Sequence, residues 1–147
     1  MPELRFDRID DAILRALQNN ARLSNKELAN RVGLAPSSCL ERVRRLQQRG
    51  VLQGYRAVVD PKALGVGLQA FVAVRLSQHS REVVETFRAH LLSLEEVVSV
   101  YHTGGENDFI VHVAVRDADH LRDLALDAFT TRQEVARLNT ALVYEQV

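Results

Sequence analysis

Apolar positions in the first fifty residues recur with helical spacing in three successive stretches. Ile9, Ile13, Ala16 and Leu17 fall at i, i+4, i+7 and i+8 behind Asp7, which can cap a helix starting at Arg8. Asp10 and Asp11 then stand in its first turn, where the helix dipole favours acids, and Asn19 and Asn20 end it. Ser24-Asn25-Lys26-Glu27 is a capping box for a second helix, with Leu28, Ala29 and Val32 as its buried stripe and Gly33 as a left-handed closing residue. Pro36 suits the first turn of a third helix, whose inward stripe is Cys39, Leu40, Val43 and Leu46 and whose end is Gly50. Ser38, Glu41, Arg42, Arg45 and Arg49 fall on its opposite face, with Ser37 at the tip and Arg44 on the flank. Two short helices joined by a tight glycine turn predict a helix-turn-helix, and strand character at 51–59 around Gly54 predicts a small two-stranded wing.

The pattern then changes period. Leu68, Ala70, Val72, Val74 and Leu76 alternate with Gln69, Phe71, Ala73 and Arg75, as in a strand apolar on both faces near its centre. Ser80 caps a helix carrying Val84, Phe87, Leu91 and Leu94, and a strand over 97–102 follows. The turn Gly104-Gly105-Glu106-Asn107 leads into a strand with Phe109, Val111, Val113 and Val115 on one face. Asp117 caps a helix with Leu121, Leu124, Ala125 and Ala128 inward, and residues 135–145 form the last strand. This βαββαβ order is ferredoxin-like: four antiparallel strands with both helices on one face. Phe71, Ile110 and Ala114 would leave the other face apolar, and the same face of a second chain is the simplest cover, so a homodimer is expected.

The expected class is therefore α+β, an N-terminal winged helix-turn-helix at 1–62 with its linker and a ferredoxin-like domain at 63–147. Charge supports the division. The 147 residues carry 19 basic and 19 acidic side chains. Residues 1–62 hold 12 Lys and Arg against 7 Asp and Glu, and residues 63–147 hold 7 against 12, so neutrality is a cancellation between halves. Of the basic residues 17 are Arg, which favours bidentate contact with phosphate or guanine. An attraction between the halves would give the same asymmetry.

Few residues offer chemistry. The apolar run at 70–74 is far shorter than a membrane helix, which needs ~20 residues. No apolar segment follows a basic start in residues 1–8, so no secretory signal or membrane partner is expected and the chain reads as cytoplasmic. The single cysteine, Cys39, excludes an intramolecular disulfide and belongs to the packing of its helix. His102 and His112 would face each other across a hairpin without a third ligand, so no metal, cofactor or catalytic constellation is expected, and the chain is read as no enzyme. The exception is Gly104-Gly105-Glu106-Asn107-Asp108. Two glycines let backbone amides turn toward a carboxylate, and Asp108 can take an ammonium, the two groups of an α-amino acid; a plain hairpin turn fits the same residues.

Ile9-Asp10 with Ile13-Leu14, the Ser24-to-Leu28 segment, Val32-Gly33-Leu34, the stretch from Cys39 to Leu46 (CLERVRRL), Gly50 with Gly54-Tyr55, Asp60-Pro61 with Leu64-Gly65, and Gly105 with Asp108-Phe109 together resemble the leucine-responsive/AsnC family of feast-or-famine transcriptional regulators. The resemblance spans essentially the whole chain. It implies sequence-specific binding of double-stranded DNA by a winged helix-turn-helix domain whose helix-turn-helix segment is residues 25–44, with contacts from Asn25, Ser37, Ser38, Arg42, Arg44 and Arg45. It implies a second domain that binds an amino acid or related metabolite at Gly104, Gly105, Glu106, Asn107 and Asp108, with Thr130, Thr131 and Arg132 contributed from a neighbouring subunit. It also implies dimers assembling further, to octamers. Three positions depart from the family pattern: Ala35 stands where a capping Ser is frequent, Gly104 is an extra glycine, and Asn107 replaces a frequent aromatic. A nucleoid-architectural protein with no effector would use the same helices.

Overall fold

The computed structural model describes residues 6–145, which form two compact units dividing between Val58 and Val59. The first holds α1 (Arg8–Asn19), α2 (Asn25–Val32) and α3 (Pro36–Gln48). Asp7 caps α1 by accepting from the amides of Ile9 and Asp10. The capping box at the start of α2 is complete: Ser24 Oγ accepts from the Glu27 amide, and a Glu27 carboxylate oxygen accepts from the Ser24 amide at 2.8 Å. Gly33 closes α2 at φ 70°, a conformation that costs a residue with a Cβ. Helix α3 begins at Ala35 without a side-chain cap.

Ile13, Leu17, Leu28, Ala29, Cys39 and Leu46 form the core of this unit. Leu40, expected inward, is 39% exposed. Cys39 precedes it by 100° of helix rotation and takes the central position, with no exposed area.

The expected wing does not form. No residue of 51–60 is in a strand. The Val51 and Leu52 amides both donate to the Leu46 carbonyl, and both side chains pack on the three-helix core, so half of the would-be ribbon is used for burial. The remaining half, from Tyr55 to Val59, has no strand partner among the described residues, and an isolated two-stranded ribbon is marginal even when both strands are free. Among the described residues the first unit is thus a helix-turn-helix without a wing.

A short 3₁₀ turn (Pro61–Leu64) leads into the second unit. Its elements are β1 (Leu68–Leu76), α4 (Arg81–Leu92), β2 (Val97–His102), β3 (Phe109–Val115), α5 (Ala118–Leu124) and β4 (Val135–Val143). The strands form one sheet in the order β2-β3-β1-β4, each neighbouring pair antiparallel, which is the ferredoxin-like arrangement. Ala70, Val72, Val74 and Leu76 of β1 and Phe109, Val111, Val113 and Val115 of β3 meet Phe87, Leu91, Leu121, Leu124 and Phe129 from the helical layer. Burying a phenylalanine of this kind contributes about 1.5–3 kcal/mol. Gly67 precedes β1 where no side chain fits: a Cβ there would stand 2.2 Å from the Arg116 carbonyl oxygen.

The helix expected after Asp117 changes form. From Ala125 to Thr130 it widens into a π-helix, in which the Thr131 amide reaches the Leu126 carbonyl. On the other sheet face Gln69, Phe71, Ala73 and Arg75 lie beside Ile110, His112 and Ala114. Phe71 is 40% exposed and stacks on His112 with ring centroids 5.0 Å apart.

Candidate functional site

Two groups of candidate residues lie on these elements, one in each unit. In the first unit the solvent face of α3 carries Ser37, Ser38, Arg44, Arg45 and Arg49, all exposed. Pro36 has no amide and Ala35 provides no cap, so the tip of α3 offers the Ser37 and Ser38 amides and hydroxyls without a partner in its own cap. Asn25, at the start of α2, is committed to the motif's own geometry: its Nδ2 donates to the Pro36 carbonyl at 2.8 Å, tying the two helix starts together.

The arginines divide into two kinds. Arg42 turns back toward α1, where its Nη1 donates to Asp7 Oδ2 at 2.6 Å and to Asp10 Oδ1 at 2.9 Å. Arg45 Nη2 donates to both oxygens of the same Asp10 carboxylate, at 3.3 and 3.2 Å. Arg44 and Arg49 enter no ion pair among the described residues. The Asp10 backbone amide first, and the Arg42 guanidinium second, hold the Asp7 carboxyl below the ordinary carboxylate range. The two acids in turn raise Arg42 above the usual arginine value through their hydrogen bonds. Asp10 was legible in the sequence only as a first-turn acid. It falls at i, i+3 and i+7 with Ile13 and Leu17, so an acid on the core stripe of α1 was the signal that a cation from another helix would meet it.

In the second unit the turn between β2 and β3 is held from three sides. Thr103 Oγ1 donates to the Asn107 carbonyl, and the Thr103 amide donates to the Asp108 carbonyl. The Arg75 guanidinium donates to the Glu106 carbonyl, and Arg137 Nη1 donates to Glu106 Oε1 at 3.2 Å. Gly105 stands at φ 115°, where only glycine is at ease. The amides of Gly104, Gly105, Glu106 and Asn107 donate to no group among the described residues. Asp108 anchors the turn: its amide donates to the Val74 carbonyl and its Oδ2 accepts from the Leu76 amide at 2.7 Å. Its Oδ1 lies 3.0 Å from His79 Nδ1. Arg75, Arg137 and His79 were not foreseen, because each is distant from the turn in sequence and adjacent only across the sheet.

Thr130, Thr131 and Arg132 lie elsewhere. The two hydroxyls donate to the carbonyls of Ala125 and Asp127, and Arg132 Nε donates to Glu134 Oε1. Arg132 borders a cleft of about 490 Å³ with Ser77, Glu82, Thr86 and Glu134, which no residue of the glycine turn lines. Within one chain the two halves of the expected effector site are therefore not brought into one cleft. His102 is opposite Phe109 and His112 opposite Ser99, so the two histidines do not face each other. Cys39 is buried, and burial pushes its thiol above the usual range, away from the reactive thiolate. No described helix is long and apolar enough to cross a membrane.

The chain matches two family models: the AsnC-type helix-turn-helix domain over residues 6–47 and the Lrp/AsnC ligand binding domain over residues 69–147. It is 43% identical over 142 residues to the HTH-type transcriptional regulator AldR of Mycolicibacterium smegmatis, covering 97% of this chain and 83% of that one. It is 38% identical over 146 residues to the leucine-responsive regulatory protein of Escherichia coli K12, covering 99% of this chain and 89% of the other. Its structure superposes with a TM-score of 0.90 and 31% identity on a transcriptional regulator of Neisseria meningitidis crystallised with L-methionine, over 97% and 92% of the two chains.

Proposed function

The chain belongs to the Lrp/AsnC family of transcriptional regulators, and on that premise we propose that it binds specific DNA sequences through α3 under the control of an amino acid bound in its second unit. The observation that carries the DNA half is the solvent face of α3, where uncapped amides at Ser37 and Ser38 stand at one end and exposed Arg44, Arg45 and Arg49 follow along the helix. A helix N-terminus with free amides is an anion site, and arginines about two to three turns further along reach phosphates and base edges in a major groove. Arg42 serves this interface from behind, by fixing α3 against α1, and Asn25 serves it by fixing the turn. The N-terminal domain of 1–62 and the C-terminal domain of 63–147 divide the work between DNA and effector.

The effector half rests on the turn. Four successive amides at Gly104, Gly105, Glu106 and Asn107 without acceptors form a cradle for a carboxylate. Asp108 Oδ1, beside His79, takes the ammonium group. The methionine bound to the Neisseria protein is a ligand of this class. Thr130, Thr131 and Arg132 complete the site from a neighbouring subunit. The protein assembles as a homodimer through the sheet face bearing Phe71, Ile110 and Ala114, and dimers associate further, to octamers. Its chemistry is binding alone, in the cytoplasm and at the nucleoid.

A thermal-shift titration of the purified protein with the twenty amino acids tests the effector half. A ligand restricted to the folded state adds about 2.7 kcal/mol at a hundred times its dissociation constant. The stabilising amino acid should lose its effect in Asp108→Asn, which still accepts from the Leu76 amide. A shift that survives the substitution would place the effector elsewhere.

A further inference from the structure

Asp10 is the one buried charged residue among the described residues, 3% exposed on the core stripe of α1. A buried carboxylate persists only where cations meet it, and here two do so from a single helix, α3. The two are not equivalent. Arg42 is three-quarters buried and spends its Nη1 on both Asp7 and Asp10, which makes it a clamp between helices. Arg45 is half exposed, and only its Nη2 is held; Nε and Nη1 have no partner among the described residues.

An arginine free in solvent loses rotamer freedom when it is fixed at a target. Arg44 and Arg49, with no acid beside them, carry that cost in full and suit phosphates, which accept a cation from many directions. Arg45 does not. Its guanidinium is held at one corner by an acid that is itself locked in the core, with its remaining donors toward solvent on the α3 face. A fork oriented before contact is what base-edge recognition requires, because two hydrogen bonds must form in one plane.

We propose that Asp10 is a positioning residue for DNA sequence discrimination: buried in α1 and touching no DNA, it orients the Arg45 guanidinium toward a base edge. The inference rests on the reading of α3 as the DNA-binding helix and deepens it by separating Arg45, which discriminates, from Arg44 and Arg49, which anchor.

The test uses the full chain and a duplex that the wild-type protein selects from a random-sequence pool, with a shuffled duplex of the same composition as its control. Fluorescence anisotropy over a series of salt concentrations gives both affinities and their ratio. In Asp10→Asn the selected-to-shuffled ratio should fall by about ten-fold or more, with shuffled-duplex binding and its salt slope unchanged because Arg45 keeps its charge. Once Arg45→Ala is present, adding Asp10→Asn should change the ratio no further. A purely structural Asp10 would weaken both duplexes alike, or lower the ratio equally in the Arg45→Ala background, and either result overturns the inference. Arg45→Lys, at a half-exposed position, decides the matter if Asp10→Asn does not fold. It should keep shuffled-duplex binding and lose the ratio, and a lysine that preserves the ratio overturns an oriented fork. If the wild type enriches no sequence, the DNA reading falls and this inference with it. Enrichment with ratios unmoved by the variants removes the inference alone.

Discussion

Arg42 and Arg44 are two residues apart on one helix and have opposite fates. Arg42 meets Asp7 and Asp10, whereas Arg44 projects into solvent. Arg42→Ala strands a buried carboxylate with only the longer Arg45 contact, and charged hydrogen bonds at such sites contribute about 1.5–3 kcal/mol. A loss of about 2 kcal/mol in urea unfolding is therefore expected for Arg42→Ala, against almost none for Arg44→Ala. DNA binding should reverse the order at equal fold population: Arg44→Ala lowers affinity on every sequence and reduces the salt slope by about one phosphate contact. Equal destabilisation by the two substitutions would show that the Asp7–Asp10 cluster does not hold α3. The depressed Asp7 pKa also has a sign. Its stabilisation is complete above the unfolded carboxylate value of about 3.9 and is lost as pH falls through the lower folded value.

Helix starts show how much a single side chain decides at the scale of an element. Ser24 at φ −65° and ψ 157° and Ala35 at φ −65° and ψ 144° have nearly the same backbone, but only Ser24 caps its helix. Ala35→Ser should supply the missing acceptor without moving the chain and stabilise the protein by about 1 kcal/mol in urea. The new hydroxyl would also accept from an amide offered to DNA, so affinity should fall while stability rises. A variant that gains stability with undiminished DNA binding would show that the α3 tip does not hold phosphate through its amides. The residues around Gly54 carry the opposite lesson. Their β-branched and aromatic character is real, but Val51 and Leu52 pack against the three-helix core instead of pairing in a ribbon, and tertiary packing overrides propensity.

At the scale of the molecule, the proposed dimer rests on the exposed sheet face. Phe71 stacked on His112 beside Ile110 and Ala114 is an apolar surface, and Phe71→Glu should give a monomer in sedimentation at concentrations where the wild type is a dimer. An unchanged sedimentation coefficient would place the dimer interface elsewhere. His112 adds a pH dependence, since burial depresses its pKa below the ordinary value of about 6.5. Between those two values the unfolded chain holds more protons than the folded one, so stability rises with pH and is lost as pH falls below about 6.5. Urea midpoints at two pH values either side of this window should differ more for the wild type than for His112→Gln. Equal differences would mean that His112 does not contribute.

The sequence by itself determined the elements and their order. Periodicity, caps and turn glycines act over three to five residues, so the capping box at Ser24, the left-handed Gly33, the alternation in β1 and β3 and the βαββαβ order are legible without a structure. The turn proposed to hold the effector was legible for the same reason, as a local run of glycines ending in an acid. Tertiary structure alone decided which polar groups are spent within the fold and which remain free for a ligand. Arg42 and Asp7 are 35 residues apart, as are Arg45 and Asp10, and Glu106 meets Arg137 across 31. A charge on a helix face carries no local mark of the partner that folding brings to it. That long-range pairing divides the arginines of the α3 region into Arg42, which braces the helix, Arg45, held at one corner by Asp10, and Arg44 and Arg49, which have no acid partner among the described residues.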